Sequence, residues 1–298
     1  MNTPTYLSGK KVADHIYRDL KNKISELDKN NIIPGLAVIL VGENPASRSY
    51  VNSKTKIFRR LNLLSKTFKL SQKVSEKKIL NLINDLNKDP SFHGILVQLP
   101  LPDHIDKEKI IFSINPDKDV DGFHPFNAGL LSIGKPKFIP CTPKGIMKIL
   151  EYYKINLSGK NVVVLGRSNI VGRPISILIS SKTKYANATT TICHSGTKNI
   201  KKYTTEADII IVALGIPKFL KADMVKDRSV IIDVGINRLK DQSNKGYSIV
   251  GDADILDLKK KNIQITPVPG GVGPMTISML VENTIESAEK YCARSSAG

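Results

Sequence analysis

Two sets of residues in this sequence have the types and spacing of chemistry. In the first, Gly166-Arg-Ser-Asn-Ile-Val-Gly172 follows the apolar run Val162 to Leu165 and precedes Pro174, Ile175, Ile177, Leu178 and Ile179. A buried strand, a tight glycine turn and a helix N-terminus in that order make an anion site. Free backbone N–H groups and the positive end of the helix dipole face the ligand, and glycine lets it approach the backbone. Ser168 stands where the G-x-G-x-x-G fingerprint has its second glycine, so these residues alone also fit a plain strand-turn-helix crossover. A second β-rich run, Thr189 to Cys193, ends at His194-Ser195-Gly196-Thr197, with Lys198 behind it. An NAD site usually carries a carboxylate there for the ribose hydroxyls. A hydroxyl at Ser195 and a guanidinium at Arg167 would hold a 2′-phosphate instead, which points to NADP.

The second set begins at Asn44 and Pro45, a cap and a first helical position. On the helix they open, Ser47, Tyr50 and Lys54 fall at i, i+3 and i+7 and share one stripe. Lys56 points roughly 200° away and reads as solvated. A lysine titrating at about 10.4 is a poor base at neutral pH. Lowering that value by about 3 units costs the cation roughly 4 kcal/mol and makes the amine a proton acceptor. Lys54 is the one candidate base on the stripe. The buried run from Gly94 ends in Gln98 before Pro100 and Pro102, at the strand edge where open α/β sheets bind ligands. The turn-rich acidic loop Asn115 to Gly122 has Asp121 as its last carboxylate. Each has a bland alternative when taken singly: a helix tyrosine, a surface lysine, a capping glutamine, an Asx-turn aspartate.

The positioning elements are those of an α/β protein. Val12, Ile16, Leu20, Ile24 and Leu27 share a helix face. Gly35 to Gly42 is a buried strand of the parallel type, Asn62 a left-handed helix cap, and Glu76 to Leu86 a further helix. Pro140 to Gly145 opens a helix and is the natural hinge into a nucleotide domain. Strands follow at Asp208–Gly215, Ser229–Ile236 and Gln264–Pro269. Pro269 to Thr276 reads as a rigid loop, with a final helix to Ala293 and a disordered tail from Arg294 to Gly298.

A chain of 298 residues, 41% hydrophobic, fits two packed domains, and no apolar window is long enough to span a membrane. The N-terminus has no signal pattern, and Cys141, Cys193 and Cys292 read as free thiols, so a cytoplasmic protein without a structural zinc is expected. The net charge of +18 raises nucleic-acid binding, but the lysines are scattered and there is no tryptophan, so that reading is set aside. The same field favours an anionic small substrate and cofactor.

Six motifs occur in one order: Tyr50-Val-Asn-Ser-Lys54, Val97-Gln-Leu-Pro-Leu-Pro102, Lys118-Asp-Val-Asp-Gly122, Pro140-Cys-Thr-Pro143, Gly166 to Gly172, and Pro267-Val-Pro-Gly-Gly-Val-Gly-Pro-Met-Thr276. Over residues 7 to 290 the chain resembles the bifunctional methylenetetrahydrofolate dehydrogenase/methenyltetrahydrofolate cyclohydrolase family. Two departures are Asn62 in place of a glycine, and Gly251-Asp252-Ala253 in place of Gly-Asp-Val; neither falls on the chemistry.

The resemblance implies a catalytic domain over 1–142, a Rossmann-like NADP domain with a largely parallel sheet over 143–275, a cleft between them, and a helix 276–293 packing back on the first. It implies oxidation of 5,10-methylenetetrahydrofolate to the methenyl form and hydrolysis to 10-formyltetrahydrofolate, by a homodimer. Tyr50, Lys54, Gln98 and Asp121 become the catalytic residues, with Val97, Leu99, Pro269, Gly270 and Gly271 also at the folate. Gly166, Arg167, Ser168, Ser195 and Ile236 are placed at NADP, and no metal is needed. The competing readings are a dehydrogenase lacking the hydrolytic step, which would lose Lys54 or Gln98, and a shikimate-type dehydrogenase, which would lack the Pro-Gly-Gly-Val-Gly-Pro loop.

Overall fold

The structure is a computed structural model that describes residues 4–242 and 246–295. Its strands are β1 (Thr5–Tyr6), β2 (Gly35–Val41), β3 (Leu64–Leu70), β4 (Gly94–Val97), β5 (Asn161–Leu165), β6 (Thr189–Cys193), β7 (Ile209–Val212), β8 (Val230–Asp233), β9 (Asn237–Lys240), β10 (Tyr247–Val250) and β11 (Gln264–Ile265). Its α-helices are α1 (Gly9–Lys29), α2 (Pro45–Arg60), α3 (Glu76–Lys88), α4 (Lys107–Phe112), α5 (Pro125–Ser132), α6 (Cys141–Tyr152), α7 (Gly172–Ser180), α8 (Ile200–Thr204), α9 (Ile255–Leu258) and α10 (Val272–Ser295). They fold into two compact units, one of residues 4–15 with 142–276 and one of 16–141 with 277–295.

The unit containing residues 142–276 is built on a six-stranded sheet in the order β1-β11-β8-β7-β5-β6, every neighbouring pair parallel. β7 and β8 are buried at every residue, as expected of strands covered on both faces. The chain leaves β5 for β6 on one side and later returns to add β7 on the other. The C-terminal end of β5 is therefore a topological switch point, where sheets of this kind bind ligands. Residues 4–15, which the sequence reading counts within the domain 1–142, group with this unit in the structure. β1 hydrogen-bonds to β11, with Thr5 N donating to Ile263 O (2.9 Å) and Leu7 N to Ile265 O (2.8 Å). Two residues are too short a strand to show any periodicity.

The other unit carries a parallel sheet in the order β3-β2-β4. β2 is buried throughout, and Ala37, Ile39 and Val41 pack with Ile79, Ile83 and Leu86 of α3 and with Ile95 and Val97 of β4. Asn62 has φ 56°, the left-handed conformation expected of it. The last helix differs from expectation at both ends. It begins at Val272 rather than 276, because Pro274 in its first turn gives up an N–H that would have no partner there. It includes Arg294 and Ser295, which the sequence assigns to a disordered tail; the rest of that tail lies outside the described residues.

Candidate active site

In the unit of residues 16–141, the site is set up by α2. Asn44 Oδ1 accepts from Ala46 N (2.9 Å) and Ser47 N (3.1 Å), and Pro45 takes the first helical position, so the start of the helix is fixed locally. Ser47 and Lys54 then face inward, Lys54 with only 4% exposure, Tyr50 is half-buried, and Lys56 is exposed. Gln98 follows directly on β4; its N–H donates to Ile39 O (2.9 Å) and its Nε2 to Leu99 O (2.8 Å). That leaves Oε1 aimed at the amine, and Lys54 Nζ donates to it at 3.2 Å. The same Nζ lies 4.5 Å from the centre of the Tyr50 ring.

Burial pushes the Lys54 pKa below the ordinary lysine value, while the charges of Asp121 and Cys141 act to raise it. Asp121 moves oppositely. Burial and the neighbouring Asp119 push its pKa up, and the Lys54 charge with a hydrogen bond from Cys141 draws it down. The result is an amine that can stand neutral beside a carboxylate, with an aromatic face and an amide dipole around it.

The loop carrying Asp121 is held by residues that were not among the expected site residues. Asp119, 2% exposed, accepts from Phe123 N (3.2 Å), His124 N (2.8 Å) and Asn127 Nδ2 (2.8 Å). Lys118 Nζ donates to Leu86 O (2.9 Å) and Asp89 O (2.7 Å), closing the end of α3. Fully buried Asn283 donates to Val120 O (2.8 Å) and Ile139 O (3.1 Å). The available signal for Asp119 was its place in the turn, four and five residues before the amides it binds. Asn283 offers no sequence signal, because its partners lie 163 and 144 residues away. Val97 and Leu99 line one small cavity with Asp121, Asp119 and Phe123.

The nucleotide residues lie in the other unit. Gly166 has φ +115°, and a Cβ there would stand 2.3 Å from Ala213 O. A Cβ on Gly172 would stand 2.2 Å from Gly166 O, so both glycines are required by the turn itself. Ser168 Oγ accepts from Val171 N (3.2 Å) and Gly172 N (3.4 Å), which holds the turn leading into α7. Arg167 and Ser195 are exposed beyond the ends of β5 and β6, and Ile236 is 58% exposed beyond β8. No carboxylate stands at the end of β6, where Cys193 leads into His194 and Ser195. A glycine-lined turn opening on a helix start, with a guanidinium and hydroxyls at hand, fits a dinucleotide bearing a 2′-phosphate.

Pro269, Gly270 and Gly271 belong to this same unit. Gly270 has φ +105°, and its carbonyl accepts from Lys10 N (3.0 Å). The structure thus gathers Tyr50, Lys54, Val97, Gln98, Leu99 and Asp121 in one unit and Gly166, Arg167, Ser168, Ser195, Ile236 and Pro269–271 in the other. Among the described residues no group of three or more His, Cys, Asp and Glu side chains could hold a metal ion, and no helix is long and apolar enough to cross a membrane.

Comparison with known proteins gives two family matches. Residues 7–121 match the catalytic domain of tetrahydrofolate dehydrogenase/cyclohydrolase, and residues 140–292 its NAD(P)-binding domain. The bifunctional protein FolD of Acetivibrio thermocellus is 48% identical over 283 residues, 95% of this chain and 96% of that protein. The crystal structure of bifunctional FolD from Campylobacter jejuni, a methylenetetrahydrofolate dehydrogenase/cyclohydrolase, superposes with a TM-score of 0.91 at 50% identity, covering 97% of this chain and 100% of the other. A Trypanosoma brucei dehydrogenase-cyclohydrolase, solved with NADP and an inhibitor, gives 0.92 at 34% identity, covering 98% and 99%.

Proposed function

The chain belongs to the tetrahydrofolate dehydrogenase/cyclohydrolase family, and we propose that the residues gathered above carry that family's two reactions. The substrate is 5,10-methylenetetrahydrofolate, the first product its 5,10-methenyl form and the second 10-formyltetrahydrofolate. NADP, when bound, accepts the hydride given up by the methylene carbon. Hydride transfer moves no proton, so what the protein contributes there is alignment. Asp121 accepts paired hydrogen bonds from the amino and ring N–H groups of the pterin, and the Tyr50 ring lies against the pterin or aminobenzoyl ring.

The hydrolytic step needs proton management, and Lys54 supplies it. A water oxygen bonds to the methenyl carbon while one of its protons passes to neutral Lys54 Nζ; the C–N5 bond then breaks as the added hydroxyl becomes the formyl C=O and its proton goes to N5, and Lys54 releases the first proton to solvent. Gln98 Oε1 holds the amine in place in both protonation states without adding charge. The observation that carries this reading is the amine itself, 4% exposed between Gln98 and Tyr50 with its pKa lowered by burial. Val97 and Leu99, which line a cavity with Asp121, complete the folate site of this unit. Gly166 and Ser168 form the turn at the pyrophosphate, Arg167 and Ser195 take the 2′-phosphate, and Ile236 offers apolar surface to a cofactor ring.

The enzyme acts as a homodimer in the cytoplasm and does not bind nucleic acid in its function. The open edge of the six-stranded sheet, β6 with exposed Ile192 and the nearby exposed Tyr203, supports pairing through the nucleotide units. The test is to mix the protein with methylenetetrahydrofolate and either NADP⁺ or NAD⁺ and follow reduced cofactor, methenyl and formyl products by absorbance. Reduction of NADP⁺ with accumulation of the methenyl compound and no formyl product would reduce the enzyme to a dehydrogenase. No reduction of either cofactor would refute the reading.

A further inference from the structure

The Gly251-Asp252-Ala253 segment takes no part in the chemistry above, yet Asp252 is completely buried and Asp233 at the end of β8 is 3% exposed. The two carboxylates are tied into one network. Asp233 accepts from Gly235 N (2.9 Å), Asp252 N (2.9 Å) and Ala253 N (2.9 Å). Asp252 accepts from Leu214 N (2.7 Å), Gly215 N (2.8 Å) and Asn237 Nδ2 (2.8 Å). Two glycines make room for them. A Cβ on Gly251 would stand 1.8 Å from Asp233 Oδ2, and one on Gly235 would stand 2.3 Å from Asp252 Oδ1. Ala253 gives its backbone N–H to Asp233 while its side chain packs into the core of this unit.

The donors are not scattered. Leu214 and Gly215 follow β7 directly after Ala213, whose carbonyl lies against Gly166 of the phosphate turn. Gly235 and Asn237 flank Ile236. We propose that Asp233 and Asp252 are positioning residues for the nucleotide: by gathering these donors they fix the ends of β7 and β8 in the geometry that receives the cofactor, without touching it. The inference rests on the reading of this unit as the NADP site. An ionised carboxylate is suited to the task because it is acceptor-only at both oxygens. An asparagine in the same place would set an NH₂ against a backbone N–H. Burial, together with the Asp252 charge, lifts the Asp233 pKa to about 6, so the arrangement is held at a cost in stability.

The experiment measures three quantities on the native chain, on Asp252→Asn and on Asn237→Ala: NADPH dissociation constant by calorimetry, melting temperature, and hydrolysis of methenyltetrahydrofolate without cofactor. The expected result is NADPH affinity weakened about tenfold or more in Asp252→Asn and about threefold or more in Asn237→Ala, with cofactor-free hydrolysis within about twofold of native. Native NADPH affinity in both variants overturns the proposal. So does a parallel loss of hydrolysis, which would mark a purely structural role. Should Asp252→Asn fail to fold, Asn237→Ala decides alone, since it removes one half-buried amide and leaves both carboxylates. A native chain that does not bind NADPH would refute the reading of the nucleotide site instead, and that arm is measured first.

Discussion

Replacing Lys54 by Gln removes the base while keeping a polar group of similar reach. The Lys54–Gln98 contact is a single hydrogen bond at 3.2 Å, and the contact with the Tyr50 ring lies at 4.5 Å. Together they contribute on the order of 2–4 kcal/mol if the amine is charged and less if it is neutral. Against this stands the cost of burying the amine, which lowers its pKa and which the variant escapes. The two terms oppose each other, so the net stability change is expected within about 2 kcal/mol. Catalysis is expected to change far more. Loss of general base catalysis is commonly worth about 10²–10⁴-fold. Hydrolysis of methenyltetrahydrofolate should fall by that factor while NADP⁺ reduction stays measurable, so the methenyl compound accumulates and its absorbance persists. The pH dependence has a definite sign. Because the neutral amine is the working form, native hydrolysis weakens as pH falls through the lowered Lys54 pKa. The unfolded chain binds that proton more readily, so the same group makes the fold less stable at low pH. A Lys54→Gln protein that hydrolyses its substrate at the native rate would refute the assignment, and no other residue on the Tyr50 stripe could replace it.

Arg167→Ala combined with Ser195→Ala should weaken NADP⁺ binding by about 1.5–3 kcal/mol per charge-assisted contact and leave NAD⁺ nearly unchanged, measured as two dissociation constants; equal losses would place the 2′-phosphate elsewhere. Asp121→Asn should weaken folate binding in calorimetry and impair both reactions. Because the Asp121 charge raises the Lys54 pKa, its removal should also move the acid limb of the hydrolysis profile to lower pH; an unmoved limb would separate the two groups. Asn283→Ala removes the amide that donates to the Val120 and Ile139 carbonyls, leaving Val120 O only the weak Cys141 Sγ donor, and should cost about 1–3 kcal/mol in denaturant unfolding; an unchanged midpoint would show that water replaces the amide.

What the sequence made legible is what is local. The Asn44–Pro45 cap, the Ser47–Tyr50–Lys54 stripe and the left-handed Asn62 each depend on residues within a few positions, and the structure has them as read. β2, β4, β5, β7 and β8 were legible because strands buried on both faces are unbroken apolar runs. β3 was not, since Leu64-Ser-Lys-Thr-Phe-Lys-Leu70 is an edge strand whose lysines blur the pattern. β1 draws its stability from β11, more than 250 positions away in sequence, and α10 begins inside a segment whose glycines and proline read as loop. In the site, the motif led to Asp121 but gave no means of telling it from Asp119, because both sit in one turn and only the fold distinguishes their surroundings.

The surroundings separate two kinds of buried carboxylate. Asp119, Asp233 and Asp252 each accept three N–H groups, most of them backbone donors at loops that follow the sheets. These amides lie beyond the reach of the ladders: after Ala213 N binds Leu165 O and Val234 N binds Val212 O, the next N–H groups of each loop need acceptors that no neighbouring strand supplies. A carboxylate filled in this way has little capacity left for a ligand. Asp121 accepts none of the described backbone N–H groups; it faces Lys54 and takes a hydrogen bond from Cys141. An acceptor with four lone-pair positions so sparsely used, in a place where burial already disfavours its charge, gains most from a ligand that brings its own donors. A pterin edge with adjacent amino and ring N–H groups is such a ligand, and that unfilled capacity is the physical reason for assigning the folate to Asp121 rather than to its neighbour two residues earlier.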